Sequence, residues 1–253
     1  MPNTIYHITM RGNAQQDIVT SDNEGALFLE MPGRTVEDFG WTCHAFCLMN
    51  NHYHLVVQIE HENLSQGMQR LNGKYAAAVN ARKRRSGHLF EGRFYSRIVD
   101  NEAYFFAVSC YIVLNPVRAF LVKQPASWRW SSYQKTAFGG SHPGFLKPDF
   151  LLSLFGDERD LARTAYMEFI NESMEENHDG PERLRELQPA TRRDLEDIFK
   201  DPSRGRNELI EDAYFIYAYR IREIAHHCGI SKSMVGKIVR NSKRRVDKKV
   251  DGA

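Results

Sequence analysis

The stretch WTCHAFCLMNNHYHLVVQIE, residues 41–60, determines the expected fold because it contains two strand-like segments around a turn. Both halves are rich in apolar, aromatic and β-branched side chains, and the Asn50-Asn51 pair between them is typical of a tight hairpin connection. In the second half, His52 and His54 are two positions apart. Alternate side chains of a strand share a face, so the two imidazoles are expected together on one side of an antiparallel hairpin.

The segments on either side extend this hairpin into a mixed pattern. We predict a strand at 4–11, a helix at 22–39, strands at 41–49 and 52–60, a helix at 63–85, a fourth strand within 86–100 and a helix at 101–115. Pro32 is expected to kink or divide the first helix, and Pro116 to end the last one. The order strand, helix, strand, strand, helix, strand, helix indicates an α+β fold, a ferredoxin-like (RRM-like) sandwich with an antiparallel sheet.

The C-terminal part is expected to be mainly helical. Its segment IREIAHHCGISKSMVGKIVR, residues 221–240, predicts a helix-turn-helix, with Gly229 in the turn and Ser231 capping the second helix. A plain helical hairpin is the alternative. The outward side chains of the second helix would be Lys232, Ser233 and Lys237. We therefore divide the chain into a main α+β domain at 1–140, a helical, acidic connector at 141–204 and a helix-turn-helix module with a basic tail at 205–253.

The charge is unevenly distributed. The net charge is only +2, but residues 70–97 hold eight Lys or Arg against one acid, residues 157–197 hold thirteen acids against six Arg, and residues 232–253 hold eight Lys or Arg against two Asp. Two basic blocks separated by an acidic block favour two surfaces that meet a polyanion. Solvated helix faces would give the same pattern.

Other features of the composition exclude several classes of protein. The sequence contains no apolar run long enough to span a membrane and no pattern typical of a secretory signal, and its four cysteines are too few for a disulfide scaffold. A reducing cytoplasm is the expected compartment. Cys43, His44 and Cys47 do not match a common zinc-site spacing. We interpret both cysteines as core residues that share one face of their strand, with structural zinc as the less favoured reading.

A second motif adds chemistry to the histidine pair. In CYIVLNPVRA, residues 110–119, Tyr111 and Asn115 are separated by one helical turn and therefore lie on one face. Alone, this pair is better interpreted as a buried tyrosine beside an asparagine that caps the end of the helix. The His-x-His pair alone is also weak evidence, because ten histidines in 253 residues make a chance pair common.

Five segments of the amino-acid sequence together resemble one protein family. CLMNNHYHLVVQIE, NLSQGMQRLNGKYAAAVN, GHLFEGRF, YIVLNPVRA and WRWSSY, in this order, are similar to the REP-associated tyrosine transposases of the IS200-like, single-tyrosine HUH superfamily. The resemblance extends from about residue 4 to 138. It implies that His52 and His54 are metal ligands, that Asn115 completes the metal site and that Tyr111 is the nucleophile. This chain has Asn50 where the family commonly has Pro, and Phe120 where the family commonly has Gly. Neither change removes a catalytic group.

The resemblance implies a function. A transposase with Mg²⁺ or Mn²⁺ would nick single-stranded DNA, leave the 5′ phosphate on Tyr111 and rejoin the strand without ATP. REP-type hairpins are the expected substrates. We expect a cytoplasmic, nucleoid-associated monomer or homodimer. The candidates for DNA contact in the main domain are Arg11, Arg82, Lys83, Arg84, Arg85, Arg93 and Arg97. A catalytically idle DNA-binding regulator on the same scaffold is the alternative. An RNA-binding protein with a ferredoxin-like sheet is less favoured, because the sequence lacks the aromatic, glycine-rich signature of such proteins on a central strand.

Overall fold

The computed structural model describes residues 3–140, 143–175, 194–200, 204–215, 219 and 221–239. The strands are β1 (Thr4–Arg11), β2 (Trp41–Leu48), β3 (His52–Ile59) and β4 (Tyr95–Val99). They form one antiparallel sheet in the order β2-β3-β1-β4. The α+β class with an antiparallel, ferredoxin-like sheet is thereby confirmed.

Helices cover both faces of this sheet and form the C-terminal part. They are α1 (Asp22–Phe39), α2 (Leu64–Arg82), α3 (Glu102–Arg118), α4 (Tyr133–Phe138), α5 (Asp149–Ser153), α6 (Arg159–Glu175), α7 (Leu195–Phe199), α8 (Arg206–Phe215), α9 (Ile221–Cys228) and α10 (232–239). Short 3-10 turns lie at Asn13–Gln15 and Pro125–Ser127. Within the described ranges, no helix combines the length and the apolar character needed to cross a membrane.

The sheet separates two hydrophobic cores. In the first, Phe28 of α1 and Tyr75 of α2 pack against one face of the sheet, where they contact Tyr53 of β3. In the second, α3 packs against the opposite face together with α4, α5 and α6. Because strand side chains alternate between faces, Tyr53 points into the first core while His54 points toward α3. Tyr53 therefore lies on the opposite face of the sheet from the histidines that flank it.

Two helices continue through prolines that we expected to interrupt or end them. α1 is one helix across Pro32, and α3 passes Pro116 before it ends at Arg118. An internal proline costs about 3 kcal/mol. Burial of a large apolar side chain contributes about 1.5–3 kcal/mol, and most α3 side chains from Tyr104 to Pro116 are buried. Packing on the sheet therefore outweighs the local preference. The predicted bounds of α1 are confirmed, whereas the predicted end of α3 at Pro116 was wrong.

A bulge in β2 overturns one prediction about the cysteines. The register between β2 and β3 shifts between Cys43 and Ala45, so the extra residue is His44. An inserted residue reverses which face the following side chains occupy. Cys43 lies in the first core and Cys47 in the second. The two thiols are buried, as expected, but they lie on opposite faces of the sheet and cannot share a zinc ion.

The C-terminal helices enclose a third core that contains Ile198, Ile210, Ile224 and Val235. Between α9 and α10, Gly229 adopts a φ of +63°, and the Ser231 hydroxyl accepts a hydrogen bond of 3.1 Å from the backbone N–H of Met234. The two helices and their turn thus form where the sequence predicts them. Their role in binding DNA and the three domain boundaries stay predictions, and residues 240–253 of the basic tail lie outside the described residues.

Candidate active site

The sheet face beneath α3 brings polar side chains from neighbouring strands together. On β3, His52 and His54 share this face, and their ring centroids lie 5.0 Å apart. On β1, Arg11 pairs with His52 and Thr9 pairs with His54 in the strand register. The side chain of His7 lies on the same face and stacks on His54 with a centroid separation of 5.3 Å. The hairpin therefore presents both histidines to one helix, as the sequence predicts.

Hydrogen bonds fix the orientation of the His54 ring. The Asn115 side-chain Nδ2 donates to His54 Nε2 at 3.1 Å. An accepting Nε2 carries a lone pair, so Nδ1 carries the proton, and it lies 3.0 Å from Thr9 Oγ1 and 3.1 Å from His7 Nε2. Burial lowers the pKa of His54 to about 3. The ring is therefore neutral near pH 7, with Nε2 directed toward α3.

Tyr111 of α3 packs against this histidine. Its ring centroid is 5.6 Å from that of His54, and its side chain is buried. Burial raises the pKa of Tyr111 to about 12, and Tyr214 adds to this increase. The nearby charge of Arg118 and a hydrogen bond from Asn115 act in the opposite direction and lower the pKa. The phenol is protonated at neutral pH, so an attack by its oxygen requires a proton acceptor or a strongly polarised phosphorus.

The donors at this site suit a divalent metal ion. The Asn51 side chain binds His52 Nδ1 at 2.7 Å and leaves its Nε2 available. Burial, followed by the charges of His54 and Arg11, lowers the pKa of His52 well below its usual value, so this ring is also neutral. Two neutral imidazoles and the Asn115 amide are ligands that Mn²⁺ accepts well. Among the described residues, no group of three or more His, Cys, Asp or Glu side chains could hold a metal.

His7 and Thr9 belong to the site, although the sequence analysis did not select them. Both are buried on β1 and contact the Nδ1 of His54. Partners of this kind hold a metal-binding imidazole in one tautomer and orientation. Alternation along β1 would have placed them on the face of Arg11, but the register with β3 is needed to bring them to His54.

An ion-pair network connects the C-terminal helices to the edge of the site. Arg11 and Arg204 both pair with the buried Asp212 of α8, and Arg204 also pairs with Glu91 at 3.0 Å. Arg11, expected to contact DNA, is therefore held by a carboxylate of the same chain. Tyr214, two residues after Asp212, is close enough to Tyr111 to influence its pKa. α8 thus lies beside the candidate nucleophile.

Asp212→Ala is expected to lower the free energy of unfolding by about 3–5 kcal/mol, because it leaves two buried guanidinium groups without their shared carboxylate. Urea denaturation measures this change. The matched control is Asp160→Ala, which removes a carboxylate that is 85% exposed and pairs with Arg163 one turn away. This exposed pair should contribute less than about 1 kcal/mol. Equal losses in both variants would show that the Asp212 network does not stabilise the fold.

The other predicted DNA contacts in the main domain have different environments. Arg84 and Arg93 are exposed. Lys83 pairs with Glu24 at 3.2 Å, Arg85 binds Asn80 and Gln16, and Arg82 reaches the Asn23 carbonyl at 3.4 Å. Arg97 is buried, with its guanidinium carbon 4.9 Å from the centre of the Tyr104 ring. The expectation of a surface phosphate contact at Arg97 is therefore not met by the structure.

The three predicted contact residues of the C-terminal module, Lys232, Ser233 and Lys237, are exposed on α10. Val235 and Val239 of the same helix are buried against the third core. His226 and His227 on α9 are exposed. One face of α10 is therefore available to a partner while the other stabilises the module.

A histidine pair on a central strand, facing a tyrosine and an amide on a helix across an antiparallel sheet, is consistent with a transposase. Residues 1–115 match the family model "Transposase IS200 like". This N-terminal part of the chain is thus similar to the IS200-like transposases, the family that the sequence motifs resemble.

Solved structures offer more remote comparisons. The chain is similar to a REP-associated tyrosine transposase bound to a REP hairpin, with 16% identity, 59% of this chain and 88% of that chain covered, and a TM-score of 0.49. It is also similar to a candidate transposase from Deinococcus radiodurans R1, with 14% identity, 44% and 90% covered, and a TM-score of 0.35. The tRNA(His) guanylyltransferase of Saccharomyces cerevisiae matches with 9% identity, 67% and 79% covered, and a TM-score of 0.37. The comparison with curated proteins gives no match.

Proposed function

We propose that this protein is a metal-dependent transposase that nicks and rejoins single-stranded DNA through a 5′-phosphotyrosine on Tyr111. One observation carries the proposal. The Tyr111 ring, the Asn115 amide and His54 are in mutual contact on a buried face, with Asn115 Nδ2 3.1 Å from His54 Nε2. Burying polar groups costs free energy unless they are paired. A face that served only packing would therefore not need two neutral imidazoles and an amide beside a tyrosine.

His52, His54 and Asn115 would hold the metal ion. A bound Mg²⁺ or Mn²⁺ would polarise the scissile phosphate and offset the charge on the departing 3′ oxygen. The protein holds the two imidazoles neutral by burial, and it orients them through Asn51 on one ring and Thr9 on the other. These contacts keep the protons on the Nδ1 atoms, so both Nε2 atoms carry the lone pairs that would bind the ion, His54 Nε2 in place of its hydrogen bond from Asn115.

The chemical step is a transesterification on phosphorus. The Tyr111 oxygen loses its proton and forms a bond to the phosphorus, the bond to the 3′ oxygen breaks, and that oxygen takes up a proton to become a 3′-hydroxyl. The 5′ phosphate stays on Tyr111 as a diester. Rejoining reverses this step with the 3′-hydroxyl of a second strand, so no nucleotide cofactor is needed.

The DNA would approach along two basic surfaces. On the main domain, Arg82, Arg84 and Arg93 are exposed, and Lys83 and Arg85 are partly buried at the end of α2. On the C-terminal module, the corresponding surface is α10. The resemblance of the five sequence segments makes REP-type hairpins with single-stranded flanks the first substrates to test. The domain division at 1–140, 141–204 and 205–253 is part of this proposal.

The direct test of the proposed function uses the full chain and single-stranded oligonucleotides from the DNA that flanks its gene. With Mn²⁺ or Mg²⁺, a shortened DNA product and a covalent protein–DNA complex should appear together on a denaturing gel. Complementary strands annealed into a perfect duplex serve as the control. Cleavage without any covalent complex would contradict the phosphotyrosine mechanism.

Replacing both Lys232 and Lys237 by Ala is expected to weaken DNA binding and to reduce its salt dependence. Each lost phosphate contact should lower the slope of log affinity against log salt by about 0.7 to 0.9. Affinity measurements across a salt series give this slope. Lys200→Ala is the control, because this exposed lysine of the connector already pairs with Asp197 at 3.0 Å. A slope unchanged in the double variant would remove α10 from the DNA-binding surface.

A further inference from the structure

The end of α3 contains an arginine whose environment the proposed mechanism leaves unexplained. The guanidinium carbon of Arg118 lies 5.5 Å from the centre of the Tyr111 ring. Its Nη1 atom is buried and has no hydrogen-bond partner. A buried donor without an acceptor costs about 1–3 kcal/mol, more when it is charged. Such a donor beside a nucleophile indicates that the acceptor arrives with the substrate.

The other arginines on this side of the sheet are already engaged. Arg11 pairs with Asp212, and Arg97 is buried over the Tyr104 ring and hydrogen-bonds its phenol. Among the described residues, no carboxylate forms an ion pair with Arg118. The side chain as a whole is only partly buried, so a strand at Tyr111 can reach it.

The position of Arg118 along α3 supports a role in the reaction. It follows Asn115 by three residues and Tyr111 by seven, so all three side chains lie along one stripe of the helix, spaced by single turns. A phosphate attacked by the Tyr111 oxygen and polarised beside Asn115 would lie within this stripe. Its two non-bridging oxygens gain negative charge as the fifth bond to phosphorus forms.

We propose that Arg118 binds the non-bridging oxygens of the phosphodiester that Tyr111 attacks. This inference rests on the proposed function, since it names a further substrate-binding residue for the same step. Arginine suits the role because its planar guanidinium presents parallel donors to phosphate and stays charged at any working pH. It also accounts for the buried Nη1, which receives its acceptor when the strand binds.

The test is a double-mutant cycle on the scissile phosphate. The cleavage site is first mapped with the wild-type chain. An oligonucleotide is then made with a methylphosphonate, which is neutral and lacks one anionic oxygen, at that linkage. Affinities of this oligonucleotide and of the normal one are measured by fluorescence anisotropy in the Tyr111→Phe background, with and without Arg118→Gln. Binding is the readout, so the result does not depend on cleavage.

With Arg118 present, the methylphosphonate should weaken binding by about ten- to a hundredfold, the range for a hydrogen bond to a charged group. With Arg118→Gln, the same replacement should weaken binding by less than about threefold. Arg118→Lys keeps the charge without the paired donors and should give an intermediate loss, even if Arg118→Gln folds poorly. Arg84→Gln is the control, since a contact to another phosphate should weaken both oligonucleotides equally.

Equal penalties for the methylphosphonate with and without Arg118 would overturn the inference and leave the proposed function standing. A wild-type chain that forms no covalent complex with any flanking single strand would overturn the proposed function itself, and the inference with it. The two failures are therefore distinguishable.

Discussion

Tyr111→Phe is expected to abolish the nick and the covalent protein–DNA complex while the fold and the affinity for DNA remain. The substitution removes one oxygen from a side chain that is only 5% exposed, so the packing against His54 is preserved. Loss of a covalent nucleophile lowers the rate by at least about 10³-fold. Denaturing gels measure both products, and mass spectrometry of the wild-type complex should locate the nucleotide on the peptide that contains Tyr111.

Tyr104→Phe is the matched control for this experiment. Tyr104 lies two turns earlier on α3, is equally buried, and has a pKa that burial raises in the same way. Its ring contacts Arg97 rather than the histidine pair. The Tyr104 variant should therefore retain the covalent complex. A complex that persists in Tyr111→Phe, or that maps to another tyrosine, would show that the nucleophile is wrongly assigned.

The same measurements separate the enzyme from the catalytically idle regulator. A regulator would bind the flanking DNA as tightly as the enzyme does, but it would yield no covalent complex with either Mg²⁺ or Mn²⁺. The intact set of His52, His54, Tyr111 and Asn115 favours the enzyme, because DNA binding alone requires none of these four side chains.

The main features of the fold and site can be predicted from residues that are close together in the sequence. Strand alternation places His52 and His54 on one face, and helical spacing places Tyr111 beside Asn115. The motif resemblance then brings the two pairs together, and in the structure His54 contacts both Tyr111 and Asn115. Each of these steps depends on residues within a few positions of one another or on the order of motifs.

The features that sequence analysis missed depend on tertiary packing. A count of charges cannot show that Arg97 is buried or that Arg11 pairs with Asp212, which lies about 200 residues away in the chain. A single bulge at His44 reverses the alternation that placed Cys43 and Cys47 on one face. Proline rules describe isolated helices, so they fail at Pro116, where burial on the sheet stabilises the helix.

His54→Ala is expected to remove the metal response. One of two imidazole donors is lost, so Mn²⁺ binding measured by calorimetry should weaken strongly and the rate of cleavage should fall by about 10³-fold, equivalent to several kcal/mol of transition-state stabilisation. His44→Ala is the matched control. This histidine is buried to the same extent on β2 but contacts Phe105, Phe150 and Gln58 instead of the site. EDTA should abolish cleavage by the wild type, and Mn²⁺ or Mg²⁺ should restore it.

The pH dependence of metal binding tests whether burial keeps His52 and His54 neutral. Burial lowers the pKa of His54 to about 3 and that of His52 well below its usual value, so protons do not compete for either ring above about pH 5. The affinity for Mn²⁺ should therefore stay nearly constant from about pH 8 to about pH 5. Exposed histidines, with a pKa of about 6.5, would each lose about tenfold in affinity per pH unit below that value. A decline of that steepness, starting near pH 6.5, would show that the two imidazoles are not held neutral by the fold or are not the ligands.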